Sequence, residues 1–192
     1  MQPIFALSFE YDEIALLFRW RGNRWRVAGL VPENSGELHS ELESLRRVAI
    51  ELAPANFSVK IYVERFNVKF ESFDAGLTDA SQLNDDDMVA MASSHFDFDP
   101  ALNAFDWIIT DSRVQTAMVS RELLAQMESF AKEFRFNPVC FGALCNRNEF
   151  NGEPFFGMTS GAQKILGPGA QIDKENEPPR ILGASKDWQI VQ

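Results

Sequence analysis

The sequence predicts an α/β fold built on a mixed sheet, and three observations carry that prediction. The chain opens with three apolar or alternating segments joined by turn signals. Two long segments repeat apolar residues at helical spacing, and short alternating segments stand between and after them. Glycine and proline then interrupt the patterning after about residue 150.

Ile4 to Phe9 reads as a short apolar strand. Glu13 to Arg21 alternates, with Ile14, Leu16, Phe18 and Trp20 on one face and Arg19 and Arg21 on the other. Gly22-Asn23 is a two-residue hairpin signal, and Arg24 to Val31 returns with Trp25, Val27, Gly29 and Val31 on one face. That loop pairs residue 21 with 24, 20 with 25 and 19 with 26, so Trp20 faces Trp25 on the core side. The same register puts Arg19, Arg21, Arg24 and Arg26 together on the opposite face.

Glu37 to Ala53 is a predicted helix, with Leu38, Leu42, Leu45, Ala49 and Leu52 inward, Asn34 and Glu37 as a capping box, and Pro54 as its stop. Phe57 to Val63 alternates as a strand, and Phe66, Val68 and Phe70 form another. Asn84 followed by Asp85, Asp86 and Asp87 reads as an N-cap and an acidic first turn, continued by Met88 to Ser94. Asp106 to Thr110 and Val114 to Ser120 read as a hairpin around Asp111-Ser112-Arg113. Arg121 to Arg135 is the third helix, with Leu123, Leu124, Met127, Ala131 and Phe134 inward, and Val139 to Leu144 is the last strand. Residues 1–150 are expected to form one module. Residues 151–192 are expected to be a Gly/Pro-rich tail or linker, partly disordered, docking through Phe155, Phe156 and Trp188.

The 192 residues carry 28 acidic and 18 basic side chains, for a net charge of −10, and 45% are hydrophobic. That is globular composition. The charge is polarised: residues 71–112 hold ten carboxylates (among them Glu71, Asp74, Asp99 and Asp106) and no Lys or Arg, and the flanks balance. Such a block repels nucleic acid and suits either solvent or a basic partner. Two cysteines exclude a disulfide framework and a four-cysteine zinc site. Met1-Gln2-Pro3-Ile4 lacks the charged and apolar regions of a signal peptide, and no apolar run approaches the ~18–20 residues of a membrane helix. A reduced, cytoplasmic location without direct membrane insertion is expected.

The chain carries neither G-x-x-x-x-G-K-[ST] nor G-x-G-x-x-G, and Gly157 to Lys164 has the wrong spacing for a phosphate loop. Asp85-Asp86-Asp87 and Asp97-Phe98-Asp99 lack calcium-loop spacing, so no metal is expected. His39 falls on the polar face of the first helix, and His95 follows the second, near its last carbonyls. Cys140 and Cys145 are five apart and point to opposite faces, as inert buried thiols. No catalytic residue and no cofactor are therefore expected. The sharpest local feature is the arginine hairpin, Arg19 to Arg26, whose opposed like charges call for compensation. Internal or solvated arginines, an acidic protein partner, and nucleic acid are the readings in that order, with no nucleic acid expected on balance.

Residues 4–145 resemble the N-terminal half of a bacterial actin-like family, the type IV pilus assembly proteins and the cytoplasmic domains of type II secretion L-proteins, in an uncharacterised alphaproteobacterial branch. The resemblance rests on the opening Ile4–Phe9 strand, the Ile14–Phe18 and Trp25–Val31 hairpin, the helix at 37–53 and Lys60-Ile61-Tyr62-Val63. It continues through an inserted segment at about 66–137 to the Phe136-Asn137-Pro138-Val139 exit. It implies an actin-like (ribonuclease H-like) mixed sheet with an inserted small α+β subdomain, incomplete relative to a full actin-like fold. Nucleotide-binding members carry an Asp-x-Gly-type turn after the first strand; here the position reads Ser8-Phe9-Glu10-Tyr11-Asp12, with Glu10 set to repel phosphate. The resemblance implies a non-catalytic interaction or scaffold module with an unidentified protein partner. The alternatives are an ATPase completed by a further half or by oligomerisation, and nucleic-acid binding through the arginine hairpin.

Overall fold

The computed structural model describes residues 2–54, 57–74, 84–96, 98–110 and 113–182. A seven-stranded mixed sheet is its frame. Three strands form the opening meander: β1 (Phe5–Glu10), β2 (Glu13–Arg21) and β3 (Arg24–Pro32). Helix α1 (Leu38–Leu52) follows, then β4 (Val59–Val63). Strand β5 (Lys69–Asp74), helix α2 (Asp85–His95), and strands β6 (Asn103–Thr110) and β7 (Arg113–Ser120) form the insert. Helix α3 (Arg121–Glu133) leads to β8 (Pro138–Ala143). Strand β9 (Phe155–Met158), the short helix α4 (Ala162–Leu166) and β10 (Arg180–Leu182) close the chain's path.

The large sheet runs β10-β3-β2-β1-β4-β8-β9. Strands β1, β4 and β8 are parallel, while β2 and β3 run antiparallel in the meander. One face, with Phe5, Leu7, Ile14, Leu16, Ile61 and Phe141, packs against Leu42 and Leu45 of α1 and Leu124 and Ala131 of α3. Gly29 lets α1 close onto β3: an added Cβ would lie 2.4 Å from Leu45 Cδ2. The opposite face carries Ala6, Leu17, Trp25, Tyr62 and Leu144, equally buried. Burial on both faces is why Ile4 to Phe9 reads as a continuous apolar run rather than an alternation. The insert forms its own three-stranded sheet, β5-β7-β6, with Met88 and Ala92 of α2 on it.

Most elements lie within a residue or two of their sequence positions. The N-cap at Asn84 forms in full: its side chain accepts from Asp87 N at 3.0 Å, and Asp87 answers at Asn84 N. Four expectations are corrected. Arg21 pairs with Arg24, but a bulge at Trp20 then pairs Arg19 with Trp25 and Phe18 with Arg26. Trp20 therefore turns outward and is 55% exposed while Trp25 is fully buried. Helix α1 has Glu37 at its N-cap without a side-chain cap, so the Asn34–Glu37 box does not form. Residues 65–67 make a 3-10 turn, and the next strand begins at Lys69 instead of Phe66. The expected tail from 151 is, through residue 182, part of the body, contributing two strands to the large sheet. Trp188 and the Asp111-Ser112 turn lie outside the described residues.

Candidate functional site

Open α/β sheets bind ligands at the carboxyl ends of their parallel strands. Here those ends are tied to one another by the chain's own side chains. Strand β1 ends at Glu10, and Tyr11 and Asp12 turn it back with φ of 58° and 59°, the left-handed pair of a tight hairpin. Glu10 is buried and its Oε1 accepts the Arg65 backbone N–H at 2.8 Å, just beyond β4. The Arg65 guanidinium in turn grips both oxygens of Glu149, with Nε donating at 3.1 Å, past the end of β8. Burial pushes the Glu10 carboxyl up to about 7; the Arg65 N–H opposes that rise and Glu64 adds to it. A carboxylate thus stands at the turn where the resemblance places a phosphate-approaching loop. Ser8, one residue inside Phe9, is fully buried, and its Oγ has no hydrogen-bond partner among the described residues.

A second polar constellation lies under the sheet's other face. Lys60 and Tyr62 project from β4 into that layer. Glu153, from the segment after β8, meets the Lys60 ammonium with side chains 1% and 2% exposed. Its other oxygen accepts from Tyr62 OH at 2.9 Å and from Asn23 Nδ2 at 2.7 Å. Asn23 Oδ1 accepts from Trp25 Nε1 at 2.9 Å, and Trp25 meets Tyr62 edge-on at 5.7 Å. Burial, with Glu153 beside it, holds the Tyr62 hydroxyl well above its ordinary range. Gly142 keeps the space open: a Cβ there would come 2.9 Å from Glu153 Oε1. Every strong donor and acceptor is matched, which makes this a structural lock.

The arginine hairpin divides. Arg19 lies on the Trp25 side, its guanidinium 4.4 Å from that ring and paired to Glu175 at 2.6 Å. It also donates to the carbonyls of Pro3 and Gly22. Arg21, Arg24 and Arg26 remain outward and exposed, and Arg26 stacks 3.9 Å over Trp20. The expected common face of four arginines is thus a face of three. The bulge at Trp20 moves Arg19 to the other side.

His95 Nδ1 lies 3.0 Å from Met91 O at the end of α2 and stacks on Phe73. His39 pairs with Glu43 on the exposed side of α1. Cys140 and Cys145 are buried in different clusters on opposite faces, and burial pushes the Cys140 thiol up to about 12. Among the described residues no group of three or more His, Cys, Asp and Glu is placed to hold a metal ion. A recess of about 680 Å³ opens at the amino ends of β1 and β4, away from the Glu10 turn, with Lys132, Lys164 and Phe57 in its lining. No helix among the described residues is long and apolar enough to cross a membrane.

Lys60 and Glu153 escape sequence reasoning. Lys60 occupies an alternating position that looks solvent-facing, and Glu153 lies in a Gly/Pro-rich segment without periodicity. The one signal was Lys60's place in a central strand flanked by apolar residues.

No family model and no curated protein matches the chain. Solved structures similar to it include the following two. The PilM–PilN type IV pilus biogenesis complex superposes with a TM-score of 0.50 at 12% identity, covering 73% of this chain and 47% of that one. The cytoplasmic domain of EpsL, an inner-membrane component of the type II secretion system of Vibrio cholerae, superposes with a TM-score of 0.48 at 13% identity, covering 71% and 55%. The chain spans about half the length of each. At such identity the likeness is one of fold: a large mixed sheet of the actin-like kind.

Proposed function

We propose that this chain is a non-catalytic protein-interaction module with a role in an envelope or secretion assembly. The observation that carries the reading is the Glu10 turn. A buried carboxylate, bonded to Arg65 N and backed by the Arg65–Glu149 pair, fills the place where an actin-like sheet would admit phosphate. The Glu10 side chain occupies that place, and the two-residue turn presents no glycine amides for phosphate to approach. The likeness to the structure of the PilM–PilN pilus biogenesis complex supports the assembly role by fold analogy.

The test is equilibrium titration of the chain with ATP and magnesium. No saturable heat or fluorescence change is expected at millimolar nucleotide. Tight, magnesium-dependent binding, weakened by changing Ser8, would overturn the reading in favour of an ATPase.

A further inference from the structure

The arginines at the hairpin tip continue into a third strand. Strand β10 lies parallel to β3 with Arg180 opposite Arg24 and Leu182 opposite Arg26, while Arg21 of β2 pairs with Arg24 from the other side. Side chains at paired positions share a face, so Arg21, Arg24 and Arg180 form a row with about 4.8 Å between strands. Arg26 stands one pleat along. All four are exposed, and none makes an ion pair or side-chain hydrogen bond with a described residue. The nearby carboxylates of Glu175 and Glu153 are committed to Arg19 and Lys60.

Directly opposed like charges destabilise a ladder, and no ion pair with a described residue offsets them here. Trp20 beside the row is 55% exposed and Leu182 37%. Stacking on Trp20 fixes the plane of the Arg26 guanidinium and leaves its N–H edge for an acceptor in that plane. Tryptophan and arginine are also the residue types that carry most binding energy at protein interfaces.

We propose that this face docks an acidic segment of a partner protein, a short run of Asp or Glu with an apolar side chain placed for Trp20 and Leu182. The proposal rests on the interaction-module reading and names the chemistry of its partner. Carboxylates match guanidinium forks bidentately. The described carboxylates of the chain's own acidic stretch do not oppose such a segment. That stretch belongs to the insert, which leaves the carboxyl end of β4 and meets β9 through the Asp106–Phe155 bond. The arginine row lies at the amino end of β1 and at the opposite edge of the sheet. Strands β1, β4 and β8 stand between β2 and β9, about 19 Å at about 4.8 Å per strand, beyond a Debye length of about 8 Å, and Asp106 is itself paired with Lys174. A long polyanion or an anionic bilayer would instead extend over the whole surface and meet the net −10. Arg26 also covers one face of the Trp20 ring, which hinders base stacking and bilayer insertion.

The test selects displayed random peptides on the full 192-residue chain at low salt. A variant with Arg24→Glu and Arg180→Glu, verified as folded by circular dichroism, serves for counter-selection. The recovered peptides are expected to be acidic with one apolar or aromatic residue. A synthetic copy of the dominant peptide should weaken about tenfold or more with Arg24→Glu and with Arg180→Glu, and should weaken between about 50 and 200 mM salt. Trp20→Ala should weaken it without changing the salt slope. Recovery of no peptide, peptides without acidic bias, or affinities indifferent to the arginines would overturn the proposal. So would tighter arginine-dependent binding to oligo-dT or to phosphatidylcholine–phosphatidylglycerol vesicles. Magnesium–ATP binding would overturn the interaction-module reading alone, leaving the peptide result standing, so the two failures are distinguishable.

Discussion

Two charged regions of this molecule lie within a few residues of each other and behave as opposites. Asn23 belongs to the buried network in which Lys60, Glu153, Tyr62 and Trp25 satisfy one another. Arg21 and Arg24, on either side of the same turn, stand exposed against each other, paired with no carboxylate among the described residues. The difference teaches where charge is structural and where it is available. In the first region desolvation forces every polar atom to have a partner, so removing one member leaves an unpaired buried charge. In the second, water screens the repulsion, the fold tolerates it, and the groups stay free for a ligand.

That contrast can be broken at the lock. Lys60→Ala should destabilise the chain by about 3–5 kcal/mol in urea denaturation, because Glu153 is then buried without its counter-charge. The double change Lys60→Met with Glu153→Gln should recover much of the loss. A Lys60→Ala variant as stable as the parent would mean that water reaches Glu153.

Glu10 sharpens the comparison, as a buried carboxylate without a cationic partner of its own. Burial holds it at about 7 against an ordinary 4.5. Between those values the folded chain binds more protons than the unfolded one, so stability falls as pH rises from 4.5 to 7 and then levels off. Glu10→Gln should therefore raise stability at pH 8 by about 2–3 kcal/mol and leave it unchanged near pH 4. Melting temperatures across that range read the effect, and a gain that did not depend on pH would refute it.

Gly142→Ala probes the space around the lock, since its Cβ would meet Glu153 Oε1 at 2.9 Å and Pro154 O at 3.2 Å. A loss of about 1–3 kcal/mol is expected from overpacking. The smallest effect belongs to the exposed row. Arg24→Ala should change stability by about 0.5 kcal/mol or less, with a gain the expected sign, since it removes two like-charge oppositions, with Arg21 and with Arg180. A large loss there would show the row to be structural and remove its availability.

The sequence made the central sheet legible because its strands are pinned by burial. Val59, Ile61 and Val63 alternate into the core, and Leu7, Leu16 and Phe141 meet them. It mispaired the hairpin because one bulged residue, Trp20, shifts every partner beyond it, and no propensity marks a bulge. The Glu10 turn was half legible: a carboxylate at the end of the first strand could be read, but not the backbone bond that seats it. Glu153 and Glu175 were hidden for a different reason. Their segment is irregular coil held by polar pairs far apart in the chain, Lys60 and Glu153 being 93 residues apart, and such pairs leave no periodicity.

The same separation has a kinetic consequence. During synthesis the opening meander and β4 emerge long before Glu153, Glu175 and β10, the groups that cover the Trp25–Tyr62 face. Until then that face is bare and Lys60 has no counter-charge, so the nascent sheet presents an apolar surface to its surroundings. Closing a loop of this length comes late and slowly. The protein is thus most exposed to aggregation just before β10 arrives, and holdase chaperones acting in that interval should raise its yield.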